Sequence, residues 1–106
     1  MDKRSVLKII EDFRKVLELK GVKAEKIILF GSYATGQYRD DSDIDLVVIS
    51  HDFENKSYWE RIDILSDAIY EIFEPIEATA FTSHEWNSRE SIITDFAKDG
   101  EVIFGV

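Results

Sequence analysis

The chain has no cysteine, a single proline and five glycines among its 106 residues. Without cysteine there is neither a disulfide nor a thiolate ligand for a structural zinc, so the fold must rest on burying apolar surface. A chain of 106 residues can do so, since about two thirds of the unfolded surface can be buried at this size. Basic residues are scarce: 13 Lys and Arg against 22 Asp and Glu leave a net charge of −9. That balance argues against free nucleic acid as the main partner, because non-specific attraction to a phosphate backbone needs the opposite sign. It suits a basic protein surface, or a polyphosphate held through metal ions. No apolar run approaches the ~20 residues of a membrane span, and no signal segment is visible, so a cytoplasmic location away from the membrane is expected. Repeats, low-complexity tracts and linkers are missing too, and one domain over residues 1–106 is expected.

What is present is an alternation of two periodicities. Val6, Ile9, Ile10, Phe13, Val16 and Leu17 recur at three and four residues between charged side chains, which predicts an amphipathic helix over 5–20 ended by Gly21. The run KIILF, 26–30, reads as a buried strand and DIDLVVIS, 43–50, as a second one. Trp59, Ile62, Leu65, Ile69, Ile72 and Phe73 restore helical spacing over 57–74, and Pro75 stops it. IEATAFT, 76–82, reads as a third strand. Thr82 with Glu85 has the form of a capping box opening a helical region that reaches Lys98 with room for a break; Gly100 closes it before a short strand, EVIF, at 101–104. Strands alternating with helices around one core predict an α/β (α+β) domain, a mixed sheet flanked by helices.

The segment GSYATGQYRDDSDIDLVVI, 31–49, sets four aspartates within six residues against a strand that must be buried. A Walker-type phosphate loop is excluded, because Gln37 and Tyr38 follow the second glycine where Lys and Ser or Thr are needed. The glycine spacing also fails the dinucleotide fingerprint. Asp41, Asp43 and Asp45 match the start of a calcium loop, but Leu46 stands where that loop requires glycine. With a strand period of two, Asp43 and Asp45 share one face while Ile44, Leu46 and Val48 take the other. Two carboxylates so placed repel unless cations lie between them. Two magnesium ions about 4 Å apart would supply that counter-charge and clamp a phosphoryl group undergoing in-line displacement. Glu77, an acid inside an apolar strand with Thr79 and Phe81 on its face, is the candidate third ligand. Gly31 and Ser32, at the strand-to-loop transition, are the candidates for phosphate contact through backbone amides and a hydroxyl.

Taken together, Gly31-Ser32, ten residues, Asp43-Ile44-Asp45 and the later stretch EATAFTSHEW, 77–86, resemble the signature of the nucleotidyltransferases with a DNA polymerase β-like fold, in particular the minimal nucleotidyltransferases. The resemblance implies transfer of a nucleoside monophosphate from a nucleoside triphosphate, commonly ATP, to a hydroxyl. It implies that Asp43 and Asp45 hold two Mg²⁺ ions, that Glu77 holds the one at the acceptor, and that Gly31 and Ser32 cradle the β- and γ-phosphates. It further implies an antitoxin paired with a helical HEPN-type ribonuclease toxin that it adenylylates; a homo- or hetero-oligomer is compatible with the sequence, which does not fix the oligomeric state. Two departures bear on this. The family's third acid is usually Asp, and the helical second domain of larger members is not encoded in these residues. A degenerate antitoxin that acts by binding alone, and a small-molecule nucleotidyltransferase completed by a partner subunit, are the alternatives. Tyr38 and Arg39 are secondary candidates in the intervening loop; His51 and His84 lack metal-ligand spacing, and Trp59 and Trp86 read as core or partner-facing packing.

Overall fold

The computed structural model describes residues 1–89 and 91–105. In chain order the elements are α1 (Lys3–Leu19), β1 (Lys26–Phe30), α2 (Ser32–Thr35), β2 (Ile44–Ile49), α3 (Tyr58–Ile72), β3 (Ile76–Phe81), α4 (Ser83–Ser88), α5 (Ile92–Ala97) and β4 (Glu101–Phe104), with a 3₁₀ turn at His51–Phe53. The four strands form one sheet in the order β3-β2-β1-β4. β1 pairs antiparallel with both β2 and β4, whereas β2 and β3 run parallel, joined by the crossover helix α3. The expected mixed sheet with flanking helices is the architecture observed.

Both faces of the sheet are covered, which explains why β1 and β2 read as continuous apolar runs rather than alternating ones. On one face Ile27, Leu29, Ile44, Leu46, Val48 and Ile76 pack with Val6, Ile10, Phe13 and Leu17 of α1 and Leu65 and Ala68 of α3. On the other, Ile28, Val47, Ile49 and Phe81 meet Trp86 of α4 and Ala97 of α5. Full burial of one such aliphatic side chain contributes about 1.5–3 kcal/mol, so the deeper layer under α1 and α3 dominates stability.

Local signals set the ends of the helices. Asp2 caps α1 by accepting from the Ser5 amide at 2.8 Å. Ser57 with Glu60, and Thr82 with Glu85, each form a reciprocal capping box, the second as expected from the sequence. Two apolar positions of the α3 pattern are not core: Trp59 and Phe73 are 71% and 85% exposed. Both sit at the ends of the helix, Phe73 as a C-cap in the left-handed region (φ 57°), where the periodic face has already turned off the sheet. The second strand also begins one residue later than the sequence suggests. Its first ladder bond is from the Ile44 amide to the Pro75 carbonyl at 2.7 Å, and β3 begins at Ile76, so Asp43 lies just outside the sheet.

Candidate active site

The Gly31 turn was expected as a loop, but the chain instead forms a single helical turn, α2, immediately after β1. Gly31 starts it with φ 73°, a conformation that a side chain disfavours, and its carbonyl accepts from the Ala34 and Thr35 amides at 3.1 and 3.2 Å. A second requirement for glycine comes from across the sheet. A Cβ at position 31 would collide with Oδ2 of Asp45 and lie 3.2 Å from its Cγ. The carboxylate of Asp45 therefore leans directly against the bare backbone of the turn.

Tyr33, one residue into the turn from Ser32, is fully buried and carries the following loop. Its ring stacks on Tyr38 with centroids 4.6 Å apart, and its hydroxyl donates to the Arg39 carbonyl at 3.4 Å. Ser42 closes the loop by accepting from the Arg39 amide at 2.8 Å. Burial, followed by the nearby Asp40, raises the Tyr33 phenol above its ordinary range, which keeps it a neutral donor. Sequence reading did not single out Tyr33; its place between two turn glycines was the available signal.

β2 and β3 run in register, with Asp45 opposite Glu77 and, on the β1 side, Phe30 opposite Asp45. Side chains of paired residues point to the same face, so Asp45 and Glu77 are neighbours about 5 Å apart at the backbone. Asp43, two residues before Asp45 and exposed, adds its charge to the same point. The effect on Asp45 is large. Burial first, then the charge of Glu77, the charge of Asp43 and a hydrogen bond with Glu77 push its carboxyl up to about 6. Asp45 is half-buried while Asp43 and Glu77 are exposed, so the cluster opens to solvent on one side.

Gly31, Asp43, Asp45 and Glu77 are thus brought to one end of β2, with Ser32 next to Gly31 in the turn, and Asp45 and Glu77 lie on the face carrying α4 and α5. Among the described residues, no three His, Cys, Asp or Glu side chains are already closed around one point as a metal cage. Like charges repel without a counter-ion, and Asp43 and Glu77 are both exposed to solvent. The donor set does fit a hard divalent cation: it is made of carboxylate oxygens alone, and Asp45 is held where ionising it is costly.

A comparison with known protein families decides the class. Residues 7–96 match the model of the nucleotidyltransferase domain. The chain belongs to this nucleotidyltransferase family. Over 45 residues it is 38% identical to the "Putative protein adenylyltransferase MJ0141" of Methanocaldococcus jannaschii, a stretch that spans 42% of this chain and 46% of that protein. The nucleotidyltransferase fold is also met in solved structures. A "putative nucleotidyltransferase from Sulfolobus solfataricus" superimposes with a TM-score of 0.70 at 21% identity, over 94% of this chain and 80% of the other. A chain of a toxin-antitoxin complex crystallised with AMP-PNP does so with a TM-score of 0.65 at 20% identity, over 94% and 73%. At such identities these two likenesses speak for the nucleotidyltransferase fold alone.

Proposed function

We propose that this nucleotidyltransferase moves an adenylate from ATP to a hydroxyl of a partner protein, with two magnesium ions, and that it is a cytoplasmic antitoxin silencing a helical HEPN-type ribonuclease. The observation that carries the reading is the pairing of Asp45 with Glu77 beside Asp43, against a turn whose glycine leaves no room for a side chain. The similarity to a protein named as an adenylyltransferase and the fold shared with a toxin-antitoxin chain support the choice of donor and partner.

In this reading Asp43 and Asp45 hold both ions and Glu77 the one nearest the acceptor. Magnesium bound there would offset the charge of the phosphates as charge develops on the leaving oxygen. The chain's own residues do the positioning. Gly31 makes room for the Asp45 carboxylate and opens the turn at which the Ser32 amide and hydroxyl donate to the triphosphate oxygens. Asp45, fixed by β2 and by contact with Gly31, sets where the α-phosphorus lies. The acceptor hydroxyl gives its proton to solvent as its oxygen bonds to that phosphorus, the bond from the phosphorus to the oxygen bridging to the β-phosphate breaks, and pyrophosphate leaves. Incubating the chain and the product of its neighbouring gene with ATP and magnesium should add the mass of an adenylate to the partner. Unchanged partner mass, or transfer that survives Asp43→Ala, would reject the reading.

One observation favours a second reading. Glu77 stands where the resembled family usually has an aspartate, and its exposed side chain is one methylene longer, which would move the acceptor end of the cluster. An antitoxin that has lost transfer and acts by binding would keep neutralising its toxin after Asp43→Asn and Asp45→Asn together.

A further inference from the structure

β3 is an edge strand, and among the described residues nothing pairs with its outer side. The Ile44 and Ser50 amides donate to the Pro75 and Phe81 carbonyls at 2.7 and 3.0 Å, so the odd-numbered residues of β3 turn their backbone groups toward β2. By the alternation of a strand, the N–H and C=O groups of Ala78 and Ala80 point outward. Edges of this kind are normally blunted by lysine, proline or a bulge. Here the sequence along the strand is Ala78-Thr79-Ala80, with side chains too small to cover it.

The strip lies at the bottom of a slot. α3 forms one wall with Tyr58, Arg61, Ile62 and Leu65, and Glu85 and Ser88 of α4 stand on the other side. Two overlapping cavities of about 360 and 350 Å³ share Tyr58, Arg61, Thr79, Ala80 and Glu85, so the slot is continuous along the strand. Arg61 ties the walls together, donating to Glu85 at 2.6 Å and to the Lys56 carbonyl at 3.2 Å. A guanidinium has five donors, more than these two bonds consume. With Lys56 and Arg61 against Glu85 alone, the slot is locally cationic in a chain of net charge −9.

We infer that the outer edge of β3 is a docking strip for an extended, acidic segment of a partner protein, which adds to the sheet through the backbone of Ala78 and Ala80. Main-chain hydrogen bonds supply the affinity, small apolar side chains of the segment sit against Ile62 and Leu65, and a carboxylate meets Lys56 and Arg61. A second copy of this chain would meet the strip with its whole surface, so repulsion between two chains of −9 disfavours it, whereas a short segment sets its carboxylate against Lys56 and Arg61 only. A segment docked here runs past Glu77, the neighbour of Ala78; only this consequence, delivery of an acceptor hydroxyl to the acid cluster, rests on the transfer proposed above.

The test is a selection of random octapeptides displayed on phage against the full chain, without ATP, so that binding is read apart from chemistry. Enriched peptides should alternate small apolar with acidic residues and slow hydrogen exchange at the Ala78 and Ala80 amides. Ala80→Pro deletes an outward donor while leaving the β2 ladder intact, and should weaken those peptides by about tenfold. Should that variant melt early, Lys56→Glu provides an independent reading, again with weaker binding expected. The inference is overturned if no peptide is enriched, if the enriched ones are basic, or if they bind both variants as well as wild type. A wild-type dimer in sedimentation that Ala80→Pro dissolves would also overturn it, by giving the edge to a second copy.

Discussion

Two aspartates at opposite ends of β2 have opposite fates. Beyond its C-terminal end, Asp52 accepts the Lys23 amide at 2.8 Å and lies near His51 and Lys56; that backbone bond, ahead of the charges, holds its carboxyl below the usual range. At the N-terminal end, Asp45 faces Glu77 and Asp43, and its carboxyl rises to about 6. The fold itself compensates one charge with a donor, and that acid is structural. The other is left uncompensated by the chain, and such a group is kept where something external supplies the counter-charge.

The largest effect should come from exchanging the charge at each end. Asp45→Asn is expected to lower transfer by about 10²–10³-fold. The same change should raise the melting temperature at pH 7 to 8. The sign follows from the shift: a carboxyl raised from 3.8 to about 6 contributes stability that is fully present below pH 3.8 and lost as pH rises through 6. The gain over wild type in melts without metal should therefore disappear by pH 4. Asp52→Asn should do the reverse, lowering the denaturant midpoint at pH 7 with transfer unchanged. If both substitutions move stability in the same direction, the contrast between the two ends fails.

Gly31→Ala sharpens the comparison without touching a charge. The added methyl must push the Asp45 carboxylate aside and sit at a positive φ. A displacement of about 1 Å suffices for a roughly 10²-fold loss of transfer, visible in kcat more than in the KM for ATP. A smaller effect should follow from magnesium alone. At pH 7.5 a saturating concentration should raise the wild-type melting temperature by about 5 °C, through preferential binding to the folded chain. Chelator should reverse the rise, Asp45→Asn should abolish it, and it should shrink below pH 6 as Asp45 takes up its proton.

Much of this was legible in the residues because the signals are local. The amphipathic period of α1, the capping box of Thr82 with Glu85, the stop at Pro75 and the glycines at 31 and 100 each act within a few positions of themselves. The pairing of Asp43 with Asp45 needed only the strand period. Trp59 and Phe73 misled because periodicity does not say where a helix leaves the core. The turn α2 was not legible, since four residues are too few for a helical pattern to register, and Tyr33 was marked only by its place between two turn glycines.

By itself the sequence determined the two long helices and the four strands, which face of β2 carries acid, and which family the glycine and aspartate spacing resembles. Only the tertiary structure decided that β3 lies parallel to β2 with Glu77 opposite Asp45, that Asp45 leans on Gly31, and that the far side of β3 is an open edge. The physical reason is range. Propensity, capping and alternation act between near neighbours along the chain, whereas strand order and register arise from packing two helices on one face of the sheet and two on the other, which no local pattern encodes.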